Sequence, residues 1–231
     1  MIKKKVTCFL PCRAGSQRVV RKNIKPFAGY DHGLIKVKLR QLLAAERIDE
    51  VVLSTNDADI LAYAETLEVP HLRLHRRVEE LSSSATSTDQ LITHALELIP
   101  EGHILWTHVT SPFITAQRYD EVIQTYFQQL KNGYDSLMTT TAIHGFLWQD
   151  EHPINYDRTI EKWPRTQTLK PVHEVNSGAF MAPASLYREM DDRIGRHPYL
   201  YVMDKLTGFD IDWPEDFVMA ECLVEKGLVG V

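Results

Sequence analysis

Short apolar runs and helically spaced apolar positions alternate along the chain, which predicts strands separated by helices. Residues 6–10 form an apolar run typical of a buried strand. From residue 34 to residue 43, leucine and isoleucine recur at helical spacing instead. The predicted strands cover residues 6–10, 51–54, 71–74, 104–107 and 136–140, and the predicted helices cover residues 34–43, 58–67, 88–98 and 119–130.

This β-α-β-α order predicts an α/β fold, in which a mostly parallel sheet carries helices on both faces. Ligands of such sheets bind at the carboxyl ends of the strands. Polar turns follow three of the predicted strands, at residues 11–16, 54–57 and 110–112. We therefore expect a ligand site where these turns meet.

Residues 142–175 break the alternation. This stretch carries two tryptophans and several prolines but no long apolar run, and it is too long for a plain loop in a compact domain. We interpret it as an arm that covers the site or meets a partner subunit. A strand at 179–181, a helix at 184–190, a strand at 199–202 and a helix from Pro214 are predicted to follow, so that residues 1–231 form a single domain.

Composition excludes several classes of function. The 231 residues carry a net charge of −5, which gives no reason to expect nucleic acid or an anionic membrane as a partner. No stretch approaches the roughly 20 apolar residues of a membrane helix, and the N-terminus does not resemble a signal peptide. The three cysteines lack metal-binding spacing, so we expect a reduced, cytoplasmic protein.

The loop after the first strand combines a glycine with basic residues. Backbone N–H groups near Gly15 and Ser16 can approach an anion closely, and Arg13 and Lys22 can neutralise it, as a nucleoside triphosphate requires. The spacing matches neither a P-loop nor a dinucleotide fingerprint. The neighbouring cations at positions 18, 21 and 25 are each expected to be ordinary surface charges.

Asp210 and Asp212 form the second candidate site. Side chains alternate along extended backbone, so both carboxylates point to the same side and can share a hard cation such as Mg²⁺. The alternative is that one aspartate caps the helix beginning at Pro214. We expect Asp216 to complement the dipole of that helix.

Two further polar segments remain open to more than one interpretation. Residues 82–88 contain six hydroxyl side chains before a predicted helix. Capping needs one or two of them, and the rest can face a ligand. His108 follows a predicted strand and is either a ligand contact or a half-buried histidine with a protein partner.

Together these motifs resemble the bacterial acylneuraminate cytidylyltransferases, or CMP-sialic acid synthetases, and their relatives that activate other nonulosonic acids. The resemblance extends over most of the chain, and the order and spacing of the motifs make it specific. The matching stretches are residues 11–18, 21–23, 52–57, 77–81, 110–112, 165–167, 176–180 and 210–212.

The resemblance implies a three-layer Rossmann-like nucleotidyltransferase fold with a small dimerisation arm at residues 142–175. It implies a homodimer whose subunits use Mg²⁺, CTP and an acidic nine-carbon sugar. The sugar hydroxyl would attack the α-phosphate of CTP, and pyrophosphate would leave. Such a transfer depends mainly on positioning and charge neutralisation.

The resemblance also implies roles for individual residues. Arg13, Lys22 and Asp212 would be catalytic, and Asp210 and Asp212 would hold the metal. The nucleotide would contact Pro11, Arg13, Ala14, Gly15, Ser16, Lys22, Asn23, Arg77, Thr88 and Thr110. The acceptor sugar would contact His108, Ser111, Gln167, Asn176, Gly178 and Phe180.

Three positions depart from the family pattern. His108 stands where glutamine is common, Ile114 where arginine is common, and Ser84 where aspartate is frequent. These changes concern the sugar side more than the triphosphate side. The acceptor therefore stays open among sialic, legionaminic, pseudaminic, Kdn-like and Kdo-like acids. A sugar-phosphate nucleotidyltransferase and a non-catalytic CTP-binding protein are the alternative functions.

Overall fold

The computed structural model of the protein describes residues 4–83 and 85–231. The strands of the described chain are β1 Val6–Pro11, β2 Glu50–Thr55, β3 Leu72–Arg76, β4 His103–Trp106, β5 Ser136–Ile143, β6 Trp148–Gln149, β7 His152–Pro153, β8 Val172–Pro183 and β9 Pro198–Met203. The helices are α1 Gly33–Ala44, α2 Ala58–Glu65, α3 Thr88–Leu98, α4 Ala116–Lys131, α5 Ala184–Met190 and α6 Pro214–Glu225. Short 3₁₀ turns lie at Glu79–Leu81 and Thr166–Thr168.

Seven strands form one sheet in the order β3-β2-β1-β4-β8-β5-β9. The pairs β1–β2, β1–β4, β2–β3 and β5–β9 are parallel. Strand β8 alone runs antiparallel, against both β4 and β5. The predicted α/β fold with a mostly parallel sheet is confirmed.

Two apolar layers cover the sheet, one on each face. On one face, Leu34 of α1, Val122 of α4 and Phe217 of α6 pack against strand residues that include Cys8. On the other face, side chains of α3 and α5 pack against Phe9 and its neighbours. The alternation of Cys8 and Phe9 between the layers follows from the two-residue period of a strand.

Strands β5 and β8 are longer than the pattern predicted. Both ends of the predicted excursion at 142–175 therefore belong to these strands. They pair as far as Ile143 opposite Val172, at the start of β8. The apolar pattern missed this ladder because polar side chains occupy much of it and bond to each other across the strands. Residues 144–171, which we call the arm segment, contain the small β6–β7 hairpin.

No helix in the described residues is long and apolar enough to cross a membrane.

Candidate active site

A cavity of about 450 Å³ lies where β1 and β4 end. Its walls come from the loop after β1, the turn after β4, and residues that enter from β3 and α3. It is lined by Pro11, Cys12, Arg13, Ser16, Gln17, Arg18, Lys22, Asn23, Arg77, Leu91, His108, Val109 and Thr110. The structure thus brings together most of the residues predicted to contact the nucleotide.

The loop after β1 is held open by hydrogen bonds from both sides. The Asn56 side-chain oxygen accepts from the Ala14 N–H at 2.9 Å, and the Asn23 side chain donates to the Arg13 carbonyl at 3.1 Å. Gly15 adopts a φ of +76°, which favours glycine. Ala14 and Gly15 line a smaller cavity of about 200 Å³ that adjoins the first. The loop is therefore shaped before any ligand binds.

Lys22 connects this loop to the segment that carries the two aspartates. Its ammonium donates to the Ile211 carbonyl at 2.6 Å and lies 3.6 Å from the Asp212 carboxylate. The lysine is only 8 % exposed. Burial lowers its pKa, while the nearby Asp212 and Asp210 act in the opposite direction. Lys22 thus presents a largely buried amine at the meeting point of both motifs.

Arg18 is exposed, as the sequence predicts, and it nevertheless joins the same arrangement. Its guanidinium lies 2.7 Å from the Asp212 carboxylate and 4.9 Å from the centre of the Trp213 ring. The pair is half-exposed, so it contributes little to stability. Its significance is positional, because it places a second cation beside Asp212. The sequence predicts a role for Lys22 in binding phosphate, but no local pattern distinguishes Arg18 from its basic neighbours.

Asp210 and Asp212 line a third cavity, of about 650 Å³. One carboxylate oxygen of Asp210 is buried and has no hydrogen-bond partner in the described residues. Burial raises the pKa of Asp210, and the neighbouring Asp212 raises it further. An orphaned carboxylate oxygen beside a second carboxylate fits a hard cation such as Mg²⁺.

Neither Asp210 nor Asp212 serves as the side-chain cap of α6. Asp216 accepts from the backbone N–H groups of Asp212 and Trp213, at 3.0 and 2.7 Å. Asp216 therefore pairs the backbone N–H groups that immediately precede α6 and fixes the segment that carries the two aspartates. Within the described residues no cluster of three or more histidine, cysteine, aspartate or glutamate side chains could hold a metal. A cation held by these two aspartates would need further oxygen ligands from substrate or water.

Arg77 is 3 % exposed and supports the wall of the first cavity. It donates to the Cys12 carbonyl at 2.8 Å and to the Ser82 hydroxyl at 3.2 Å. In the hydroxyl-rich segment, Ser87 caps α3 through the Gln90 N–H at 3.2 Å. Thr88 is exposed and outside the cavity linings, so its contact with nucleotide stays a prediction. Ser84 lies outside the described residues.

His108 lines the first cavity and has a protein partner as well. The indole N–H of Trp106 donates to its Nε2 at 3.2 Å. Burial lowers the pKa of His108 to about 3, and the cations of Arg193, Lys38 and Lys22 lower it too. A neutral imidazole that accepts at Nε2 carries its proton on Nδ1. His108 can therefore donate a hydrogen bond to a ligand.

The other residues predicted to contact the acceptor lie in different surroundings. The Asn176 side-chain oxygen accepts from the Thr139 hydroxyl at 2.7 Å, although Asn176 also lines the third cavity. The remaining four are outside the linings of the three cavities described. Ser111, Gly178 and Phe180 are buried, and Gln167 is exposed in the arm segment. Their contacts with an acceptor stay predictions.

Comparison with known proteins finds that the chain is similar to cytidylyltransferases. The family model described as "Cytidylyltransferase" matches residues 7–226. The chain is 26% identical over 224 residues to the pseudaminic acid cytidylyltransferase of Campylobacter jejuni, covering 94% of both chains. It is 24% identical over 233 residues to the N-acylneuraminate cytidylyltransferase of Escherichia coli, covering 97% of this chain and 53% of that protein.

The fold is also found among solved structures. The CMP:2-keto-3-deoxy-manno-octonic acid synthetase complexed with CTP superposes with a TM-score of 0.68 at 14% identity, covering 96% of this chain and 99% of that one. This similarity supports the same arrangement of strands and helices. It is consistent with the position of the cavity at the carboxyl ends of the parallel strands.

Proposed function

The chain belongs to the cytidylyltransferase family, and from this premise we propose that it transfers CMP from CTP to a nonulosonic acid, releasing pyrophosphate. The observation that carries the proposal is the position of Lys22 between the two chemical motifs. Its ammonium contacts the Ile211 carbonyl and lies near Asp212, while its backbone belongs to the loop after β1. A triphosphate on that loop would therefore reach the two aspartates.

The residues around the cavity account for the steps of such a transfer. Backbone N–H groups near Gly15 and the side chains of Arg13 and Lys22 would hold the phosphates and balance the charge that develops as pyrophosphate leaves. Asp210 and Asp212 would hold Mg²⁺, which would supply further charge neutralisation and lower the pKa of the attacking sugar hydroxyl. The loop, which hydrogen bonds to Asn56 and Asn23 hold in place, would align the hydroxyl and the α-phosphorus.

The acceptor is proposed to be a nine-carbon acidic sugar. Two of the relatives described above are named for pseudaminic acid and N-acylneuraminate, which are both of this class. His108 offers a neutral hydrogen-bond donor at the cavity wall. Ile114 is fully buried and cannot supply a cation there. The acceptor must therefore find its charged partner elsewhere.

We further propose that two copies of the chain form a dimer through the arm segment. Ile154, Ile160 and Trp163 leave 53, 86 and 62 % of their surfaces exposed in the single chain. A group of exposed apolar side chains is typical of a surface that a partner covers. The three free cysteines fit a reducing compartment, and we propose the cytoplasm.

Pyrophosphate release tests the proposed activity. The purified protein would be incubated with Mg²⁺, each of CTP, UTP, dTTP and ATP, and each of five acceptors: pseudaminic, N-acetylneuraminic, legionaminic and 3-deoxy-octulosonic acids, and glucose 1-phosphate. We expect turnover with CTP and at least one nine-carbon acid. Turnover only with a sugar 1-phosphate, or CTP binding without turnover, would reject the proposal.

A further inference from the structure

Arg193, in the segment after α5, is a largely buried cation without an anionic partner. Its guanidinium carbon lies 3.7 Å from the centre of the Phe180 ring and 4.9 Å from that of Trp106. In the described residues no carboxylate lies within 4 Å of its guanidinium nitrogens. One of those nitrogens, Nη1, is buried and has no hydrogen-bond partner.

The neighbouring acid does not neutralise this guanidinium directly. Asp192 accepts from the backbone N–H groups of Arg193 and Ile194, at 2.6 and 3.2 Å. Contact with two aromatic rings stabilises a cation only partly. Burial still lowers the pKa of Arg193. A buried donor that lacks a partner is uncommon and costs stability, which points to a ligand that completes it.

The position of Arg193 links it to the acceptor end of the site. Trp106 and Phe180 face each other across β4 and β8. Trp106 also donates to His108, which lines the first cavity. The charge of Arg193 is close enough to His108 to lower the pKa of that histidine. Arg193 thus lies behind the part of the cavity wall that His108 forms, although it is not itself among the lining residues.

The other buried or paired cations of the site already have partners. Lys22 and Arg18 both contact Asp212. Arg77 donates to the Cys12 carbonyl and the Ser82 hydroxyl through two of its nitrogens, whereas its Nη1, like that of Arg193, is buried without a partner. Arg193 has no hydrogen bond from its guanidinium to any described residue, so it is a cation near the site that a second anion, besides the triphosphate, can pair with.

We propose that Arg193 binds the carboxylate of the acceptor sugar and thereby selects acidic sugars and fixes their orientation. The inference rests on the proposed function, because only that function requires an acidic acceptor. The planar guanidinium can form two parallel hydrogen bonds with a carboxylate, a geometry that lysine cannot reproduce. The Nδ1–H of His108 would donate to another oxygen of the same sugar.

Steady-state kinetics of Arg193→Met and Arg193→Lys test the inference. Methionine keeps an unbranched apolar stem over the rings but removes the charge. We expect Arg193→Met to raise the KM for the acceptor about 10-fold or more, since charge-assisted pairs are strong. The Kd for CTP, measured by calorimetry, should stay within about twofold. Arg193→Lys should have an acceptor KM between those of the wild type and Arg193→Met. The exposed Arg196→Met is the matched control.

A modified acceptor separates a carboxylate contact from a general defect. The acceptor of highest turnover in the panel above would be compared with its carboxamide. The wild type should lose much of its kcat/KM with the carboxamide, whereas Arg193→Met should discriminate little between the two. Equal discrimination by both proteins, or a loss of CTP affinity that matches the loss for the acceptor, would overturn the inference.

Three outcomes distinguish the inference from the proposed function. Wild-type turnover together with an unchanged acceptor KM in Arg193→Met would reject only the role of Arg193. If Arg193→Met fails to fold, the same carboxamide comparison on Arg193→Lys decides the matter. Absence of wild-type turnover with every acid would reject the proposed function and this inference with it.

Discussion

The ammonium nitrogen of Lys22 lies 3.6 Å from a carboxylate oxygen of Asp212, although the two residues come from opposite ends of the chain. The contact closes the loop after β1 onto the segment before α6. Lys22 also donates to the Ile211 carbonyl, so the position of its side chain is fixed by two contacts. The site is therefore assembled by tertiary packing and does not depend on one local motif.

Lys22→Met should reduce turnover strongly with the fold retained. The substitution removes a charge aimed at the phosphates, and loss of one such electrostatic contact costs about 10²–10³-fold in kcat. Single-turnover kinetics at saturating CTP measure the effect. The exposed Lys25→Met, in the same loop, is the control and should remain close to wild type. A near-normal rate in Lys22→Met would show that Lys22 does not act on the phosphates.

Asn176→Ala should lower the free energy of unfolding by about 2 kcal/mol, because buried donors and acceptors lose their partners. Asn176 is 7 % exposed and bonds to the hydroxyls of Thr139 and Thr141 at 2.7 and 3.1 Å. Urea denaturation measures the change, and Asn155→Ala in the arm segment is the comparison. Unchanged stability combined with a raised acceptor KM would instead assign Asn176 to the substrate.

Acid should destabilise the protein through its buried neutral histidines. Burial lowers the pKa of His103 from 6.5 to about 4, and Lys4 adds to the effect. Between those values the unfolded chain binds more protons than the folded one, so stability is complete above pH 6.5 and falls as the pH drops towards 4. His108 contributes in the same direction.

The measurement is urea denaturation at pH 7.5, 6 and 5 with the wild type and His103→Gln. The variant should lose less stability between pH 7.5 and pH 5, because one of the histidines whose pKa is lowered by burial is gone. His71→Gln is the control, since this histidine is exposed. Parallel curves for the wild type and His103→Gln would contradict the assignment.

Substitution in the arm segment should weaken the proposed dimer. Ile160→Ser and Trp163→Ser remove exposed apolar area that a partner would cover. Sedimentation velocity over a dilution series should show the monomer at higher protein concentrations than in the wild type. Val218→Ser, on the exposed side of α6, should have no effect. A wild type that sediments as a monomer throughout would reject this part of the account.

Much of the fold follows from local patterns, and the exceptions have a physical cause. Strand β1 and helix α1 are each apolar in a regular period, so the sequence predicts them closely. The first half of β8 is different, because Asn176 and its polar neighbours bond to threonines of β5. Those partners lie about 35 residues away, and no short window of sequence contains them.

Some residues of the candidate site are likewise predictable from local sequence, and others are not. Asp210 and Asp212 are predictable because a two-residue spacing on extended backbone places both carboxylates on one side. Arg193 is one of several arginines in a polar stretch, and nothing in the neighbouring sequence indicates that it is buried. Its environment arises only when Trp106 and Phe180 become neighbours across the sheet.

The fate of the α-phosphorus of CTP, followed by ³¹P NMR, tests the central claim most directly. The reaction would contain Mg²⁺ and an acidic nine-carbon sugar, with the wild type, Asp210→Asn, Asp212→Asn and the exposed control Glu215→Gln. We expect the wild type and Glu215→Gln to form a CMP–sugar phosphodiester and an equal amount of pyrophosphate. Both aspartate variants should be slower by about 10²-fold or more, because they lose charge at the site of transfer. Release of CMP without a bond to the sugar, or a near-normal rate in Asp212→Asn, would contradict the account.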